Sequence, residues 1–321
     1  MAFVREIRSL PLSSPLLLLQ FLSFILSTFV DVGGAATAKV PAIYVFGDST
    51  ADVGNNNYLP GSAAKANFPH NGIDFPSSRP TGRFSNGYNG IDFLATHMGF
   101  RRSPLPFLSL TNKTNHQVMR GLRGINFASG GSGVLDSTGS TITLSKQIQY
   151  FATIQSNITA RTSRETAEYV ISRSLFLIST GGNDIFAFFS QNNSPTNSQK
   201  RRFTATLVSE CTNHVKALYT LGARKFGVID VPPIGCCPYP RSLSPTGYRE
   251  VRTACCGAGR FNGNSGCTPN ATYCSNRRQY LFWDLLHPTH TTSRLAALAI
   301  FNGSQQFAAP INFRQLIEDS N

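Results

Sequence analysis

The chain has 321 residues, of which 41% are hydrophobic, 11% aromatic and only 14% charged. That composition supports one large apolar core and excludes disordered and fibrous classes. The formal net charge of +13 suits anionic polysaccharide, acidic lipid head groups or nucleic acid. Nucleic acid drops out, because the longest basic run is Lys200-Arg201-Arg202 and no nucleic-acid module is recognisable.

In chain order, Arg5 and Arg8 precede an almost unbroken apolar run from Leu16 to Val30, then Gly33-Gly34-Ala35-Ala36-Thr37-Ala38. A basic start, a short apolar stretch and an Ala-x-Ala ending predict a cleaved signal peptide over residues 1–38, with one mature domain over 39–321. The run is too short for a membrane anchor, and no later segment predicts a transmembrane span. Four short apolar runs then read as buried strands: Ala42 to Phe46, Gly124 to Phe127, Ser174 to Ser179 and Lys225 to Ile229. Helical apolar spacing marks Leu144 to Ile154 and Phe203 to Leu221. This alternation predicts an α/β fold, a parallel sheet with helices on both faces and ligands at the carboxyl ends of the strands.

Two features agree with export. Asn112, Asn157, Asn192, Asn270 and Asn302 each open an Asn-x-Ser/Thr sequon. Six of the seven cysteines, Cys236, Cys237, Cys255, Cys256, Cys267 and Cys274, cluster without C-x-x-C spacing, so disulfides are the better reading. With Cys211 the count is odd, which leaves at least one thiol without an internal partner.

The chemistry-bearing motifs follow the strands. Ser49 in Phe46-Gly47-Asp48-Ser49 is placed to attack a substrate, although a helix N-cap would look the same. Ala128-Ser129-Gly130-Gly131-Ser132-Gly133 offers bare backbone N–H groups to an anion, or is simply a tight turn. Asn183 in Gly181-Gly182-Asn183-Asp184 carries an amide able to donate to an oxyanion, and Asp284-Leu285-Leu286-His287 pairs a carboxylate with an imidazole. Together these supply a nucleophile, a base, a carboxylate to orient it and donors for the intermediate. G-x-S-x-G and H-E-x-x-H are absent, and His290 is the only rival base, less naturally spaced from Asp284.

The sequence resembles the plant branch of the GDSL esterase/lipase family, within the SGNH hydrolases. The resemblance rests on Val45-Phe46-Gly47-Asp48-Ser49, Asp52-Val53-Gly54-Asn55-Asn56-Asn57, Pro80-Thr81-Gly82-Arg83-Phe84-Ser85-Asn86-Gly87, Asn126-Phe127-Ala128-Ser129-Gly130-Gly131, Gly181-Gly182-Asn183-Asp184 and Phe282-Trp283-Asp284 to Thr289. It implies a three-layer α/β/α flavodoxin-like fold and secreted, apoplastic hydrolysis of carboxylic esters, of lipids or of acylated carbohydrates or small molecules, with no metal or cofactor. It further implies Ser49 as nucleophile, His287 as base and Asp284 as its orienting residue. The oxyanion hole would be the Ser49 N–H, a glycine N–H from the Gly130-Gly131 pair, preferably Gly130, and the Asn183 side chain. Thr50 replaces the leucine of the name motif.

One departure matters. Relatives continue after the Pro233-Ile234-Gly235-Cys236 block with a helix and another strand, a unit of about 30 residues or more. Here Pro245-Thr246-Gly247-Tyr248 runs almost directly into Arg249 to Cys256. The chain therefore reads as shortened by one edge strand-and-helix unit, which fits four strands rather than five. Such a loss could leave the triad unassembled. The alternative functions are then a catalytically silent cell-wall protein held by acidic polysaccharide, or an acyltransferase using the same triad.

Overall fold

The computed structural model describes residues 38–61, 64–111, 123–192, 194–232, 236–238 and 253–318. The expected signal peptide, apart from Ala38, the Asn112 sequon and most of the segment around the proposed shortening lie outside them.

Strand β1 (Ala42–Gly47) is buried along its whole length, as a central parallel strand covered on both faces must be. Its side chains alternate between two cores. Tyr44 and Phe46 join Phe127, Phe151, Phe176 and Leu218 on one face. Ile43 and Val45 join Leu94, Met98, Phe301 and Phe313 on the other. The period of two along one strand thus builds two separate apolar layers.

The sheet also contains β2 (Leu105–Pro106), β3 (Arg123–Asn126), β4 (Leu175–Ser179) and β5 (Lys225–Ile229), in the order β2-β3-β1-β4-β5. Every pairing is parallel. Four of these match the sequence expectation. The fifth, β2, is a correction: two residues, one of them proline, carry no periodic signal, and proline is tolerated there because β2 is an edge. It adds to the edge opposite β5, so it does not replace the unit expected beyond β5.

On the first face lie α2 (Leu144–Arg161), α3 (Arg164–Arg173) and α5 (Asn197–Thr220), of which α2 buries Leu144, Ile148, Phe151, Ile154 and Ile158 at helical spacing. The opposite face is covered by α1 (Gly90–His97), α6 (His290–Asn302) and α7 (Phe313–Glu318), while α4 (Gly182–Gln191) follows β4. The result is the three-layer α/β/α architecture that the resemblance implied. Among the described residues no helix is long and apolar enough to cross a membrane.

A small cysteine-rich subcore completes the chain. Strands β6 (Cys256–Gly257) and β7 (Thr272–Tyr273) pair antiparallel, and disulfides join Cys255 to Cys274 and Cys256 to Cys267. Trp283 is fully buried among these cysteines, and its indole N–H donates to Asn71 Oδ1 at 2.9 Å. Cys211, Cys236 and Cys237 are unpaired among the described residues.

Candidate active site

Strand β1 ends in Gly47, whose φ is +142°. A Cβ there would lie 2.0 Å from the Ser179 carbonyl oxygen on β4, so only glycine lets the two strands close at this point. The Gln147 side chain holds the same residue at both of its backbone polar groups: its Oε1 accepts from Gly47 N–H at 2.8 Å and its Nε2 donates to Gly47 O at 2.9 Å. The chain then turns, with the Ala51 and Asp52 amides donating to Asp48 O. No helix begins at Ser49; the next helical turn starts at Asn55. The helix-cap reading of Ser49 is therefore set aside, and it is the Asp48 carboxylate that accepts the Thr50 N–H at 2.9 Å and the Thr50 hydroxyl at 2.8 Å.

Asp284 and His287 form a closed local unit. Asp284 Oδ1 accepts the backbone N–H groups of Leu286 at 2.9 Å and His287 at 2.8 Å. Both carboxylate oxygens lie 2.9 Å from His287 Nδ1. The other ring nitrogen, Nε2, lies 2.8 Å from Ser49 Oγ. The fold thus brings Ser49, Asp284 and His287 together from opposite ends of the chain. Phe84 packs against the imidazole, with ring centroids 5.0 Å apart.

Burial alone pulls the His287 pKa down, but the charge and hydrogen bond of Asp284, with the Asp48 charge behind, outweigh it and raise it above the ordinary value. Burial likewise pushes Asp284 up, yet the His287 charge and three hydrogen-bond donors hold its carboxyl below the usual range. Asp48 goes the other way: its burial dominates and its carboxyl is raised.

The expected oxyanion donors are arranged unequally. Asn183 lines the cleft beside Ser49, and its Nδ2 donates to Ser132 O at 2.8 Å. An amide nitrogen carries two hydrogens, so one remains for a ligand. Gly130 N–H points instead to Asp52 Oδ2 at 3.1 Å. Neither Gly130 nor Gly131 lines the cleft. The cleft lining includes the apolar Phe186, Val231, Pro232 and Leu286 with Cys237, and the polar Thr50, Ser179 and Thr180. Burial and the nearby Asp284 push the Cys237 thiol up to about 12.

Three supporting carboxyl and amide residues escaped sequence reasoning. Asp52 accepts from Gly54 N–H and Asn55 N–H, both at 2.7 Å, besides Gly130. Asp184 accepts from Val134 N–H at 2.7 Å, Leu135 N–H at 3.0 Å and the Thr138 hydroxyl at 2.7 Å, fixing the loop after Gly130-Gly131. Asn56 donates to Gly130 O at 2.8 Å. All three sit inside motifs already visible, but their roles depend on burial, which no motif prints.

The remaining histidines lie elsewhere. His214 bonds to Val134 O at 3.0 Å, His97 stacks on Phe301, His70 lies against Tyr273, and His116 is outside the described residues. His290 accepts from Tyr88 N–H through Nδ1 at 3.0 Å and so takes no part in the Ser49 cluster. Among the described residues no three His, Cys, Asp or Glu side chains gather as a metal would require.

Known proteins resemble the chain over most of its length. The chain is 32% identical to the GDSL esterase/lipase At5g55050 of Arabidopsis thaliana, over 94% of this chain and 96% of the relative. It is 33% identical to the GDSL esterase/lipase LTL1 of the same plant, over 91% and 95%. The two alignments run over 364 and 358 residues, longer than the 321-residue chain, so each relative carries residues without a counterpart here. The GDSL-like lipase/acylhydrolase family matches residues 43–300, and the chain belongs to that family.

Proposed function

We propose that this chain is a secreted serine hydrolase that cleaves carboxylic esters through an acyl-enzyme. The observation that carries the reading is the 2.8 Å contact of His287 Nε2 with Ser49 Oγ while Nδ1 rests on Asp284. Ser49 Oγ attacks the ester carbonyl carbon and its proton passes to His287 Nε2, while Asp284 stabilises the imidazolium. The tetrahedral oxyanion is received by the Ser49 N–H and the free Asn183 Nδ2–H, while the Gly130 N–H stays on Asp52. Collapse breaks the carbon–oxygen bond, and the leaving alcohol takes the proton from His287. Water, deprotonated by His287, then attacks the acyl carbon and releases the carboxylic acid and free Ser49.

The apolar cleft wall of Phe186, Val231, Pro232 and Leu286 suits the acyl part of a lipid or small-molecule ester. The basic charge, the amino-terminal segment and the sequons support export to the cell wall and an acidic polysaccharide as neighbour. Of the sequon asparagines, Asn270 and Asn302 are exposed, while Asn157 sits half-buried within α2. The chain also reads as one shortened by a strand-and-helix unit beyond β5. The surplus length of the aligned relatives supports this, as does Val228 of β5, which is 55% exposed at the sheet edge. What favours an enzyme over a silent wall protein is that Ser49 and His287 meet in spite of that loss.

Labelling of the purified protein with a fluorophosphonate, beside Ser49→Ala, tests the reading. Labelling that disappears in the variant is expected. A folded wild-type protein that takes no label would overturn it.

A further inference from the structure

A second cavity, of about 510 Å³, opens at the start of α6, away from the residues that line the Ser49 cleft. Its volume lies within the roughly 300–1,000 Å³ of small-molecule sites. Its lining is polar throughout and includes Arg277, Arg278, His290, Thr291, Ser275 and Asn276. No Leu, Ile, Val, Phe, Tyr or Trp side chain contributes, which disfavours a lipid or an apolar ligand.

The charges in it do not cancel. Asp74, its one acid, is held by Arg277 through two bonds, from Nε at 2.6 Å and Nη2 at 2.9 Å, and by Asn86 Nδ2 at 2.6 Å. Those donors hold its carboxyl below the usual range despite some burial. The Arg277–Asp74 pair is therefore self-neutralised. Arg278 is exposed and has no acidic partner among the described residues.

His290 is pre-set as a donor. Its Nδ1 accepts the Tyr88 N–H, which fixes the neutral tautomer with the proton on Nε2. The ring is held by Tyr88 and by the edge-on ring of Phe93, and the His290 backbone N–H donates to Asn86 Oδ1 at 2.8 Å. Among the described residues the cavity thus has one cation without an acidic partner, one N–H oriented by its neighbours and a set of hydroxyls and amides. The fixed orientation of His290 lowers its share of the cost of binding.

We infer that this cavity is a binding site for an acidic sugar unit, its carboxylate taken by Arg278 and His290 Nε2–H and its ring hydroxyls by Thr291, Ser275 and Asn276. A guanidinium matches a carboxylate with two parallel N–H bonds, and sugar hydroxyls match short polar side chains. The inference deepens the proposed cell-wall setting by naming the polymer's repeating chemistry and the place that reads it. It does not depend on Ser49 being a nucleophile.

The test is calorimetric binding of a short oligogalacturonate to the Ser49→Ala protein, beside its methyl ester and inorganic phosphate. The oligomer is expected to bind and the methyl ester, which lacks the charge, to fail. Arg278→Gln and His290→Gln are each expected to weaken binding by about tenfold or more, the loss of one charge-assisted or oriented hydrogen bond. Arg278→Gln, made in the Ser49-containing protein, should hydrolyse a small neutral ester at the wild-type rate. Equal binding of the methyl ester, no effect of Arg278→Gln, or phosphate displacing the oligomer at equal affinity would each overturn the assignment. Because binding is read on the Ser49→Ala protein, a failure of fluorophosphonate labelling leaves this result standing.

Discussion

The Cys256 amide donates to the Trp283 carbonyl at 2.7 Å, one residue before Asp284. The Cys255 amide does the same to Phe282 at 3.0 Å, and Trp283 N–H closes the loop on His287 O at 2.8 Å. The Asp284–His287 loop therefore hangs on the disulfide-bonded segment rather than on the parallel sheet. The cysteine pairs close loops of 19 and 11 residues within the segment to which the Asp284–His287 loop is bonded.

Reduction should consequently cost stability and reactivity together. Each loop of this size restrains the unfolded chain by about 3 kcal/mol in the chain-entropy account. Thermal melts of Cys256→Ala with Cys267→Ala should fall clearly, and the rate of fluorophosphonate labelling should fall with them. Unchanged labelling in a protein with a lowered melting temperature would show that the loop holds its place without the bridge.

On the proposed mechanism the raised His287 pKa should set the acid limb of activity. His287 works as a base only when neutral, so activity rises with pH through a value above the ordinary histidine pKa of about 6.5. The imidazolium–carboxylate pair has the matching stability signature. The His287 contribution is complete at low pH and lost as pH rises through its folded pKa, while the Asp284 contribution is lost as pH falls through its own lowered value. Asp284→Asn should bring the acid limb of kcat/KM down and reduce kcat by on the order of 10³–10⁴. A limb that stays in place in the variant would separate Asp284 from the titration.

Asn183 is the donor best placed beside Ser49, with one amide hydrogen anchored on Ser132 O and the other free. Asn183→Ala should lower kcat by about 10²–10³ with little change in KM, as for the loss of one oxyanion donor. A loss appearing in KM alone would assign Asn183 to substrate binding.

Asp52 gives the site a pH-dependent foundation. Burial raises its pKa to about 6 against the backbone N–H groups that pull it down. Its folded pKa lies above the unfolded value near 3.9, so the protonated form favours folding below that value and the advantage is lost as pH rises through about 6. The difference amounts to a few kcal/mol. The melting temperature of wild type minus that of Asp52→Asn should therefore fall between pH 4 and 6, roughly, and level off above. A difference that is flat across this range would place the Asp52 pKa at its ordinary value.

Much of the site was legible because its residues follow strands. Ser49 after β1, Gly130-Gly131 after β3 and Asn183 after β4 stand where parallel strands end. Buried strands announce themselves as unbroken apolar runs. The Asp284–His287 pair was legible for another reason: a carboxylate can bond the imidazole three residues on through a single turn. What stayed hidden depends on tertiary contact. Gln147 reads as an ordinary polar position of α2, yet it is fully buried and grips Gly47 one hundred residues away. Gly130 looked like a free donor until the fold placed the Asp52 carboxylate against it. Strand β2 was invisible because two residues have no period.

The four-residue closure of Asp284 on His287 has a last consequence for how such a chain can tolerate losing material upstream. Carboxylate and imidazole are tied by bonds that lie within the turn itself. Editing the chain elsewhere leaves the partners of these bonds in place and bears first on the 2.8 Å gap between His287 Nε2 and Ser49 Oγ. A three-body alignment problem is thereby reduced to docking one prebuilt piece against one serine.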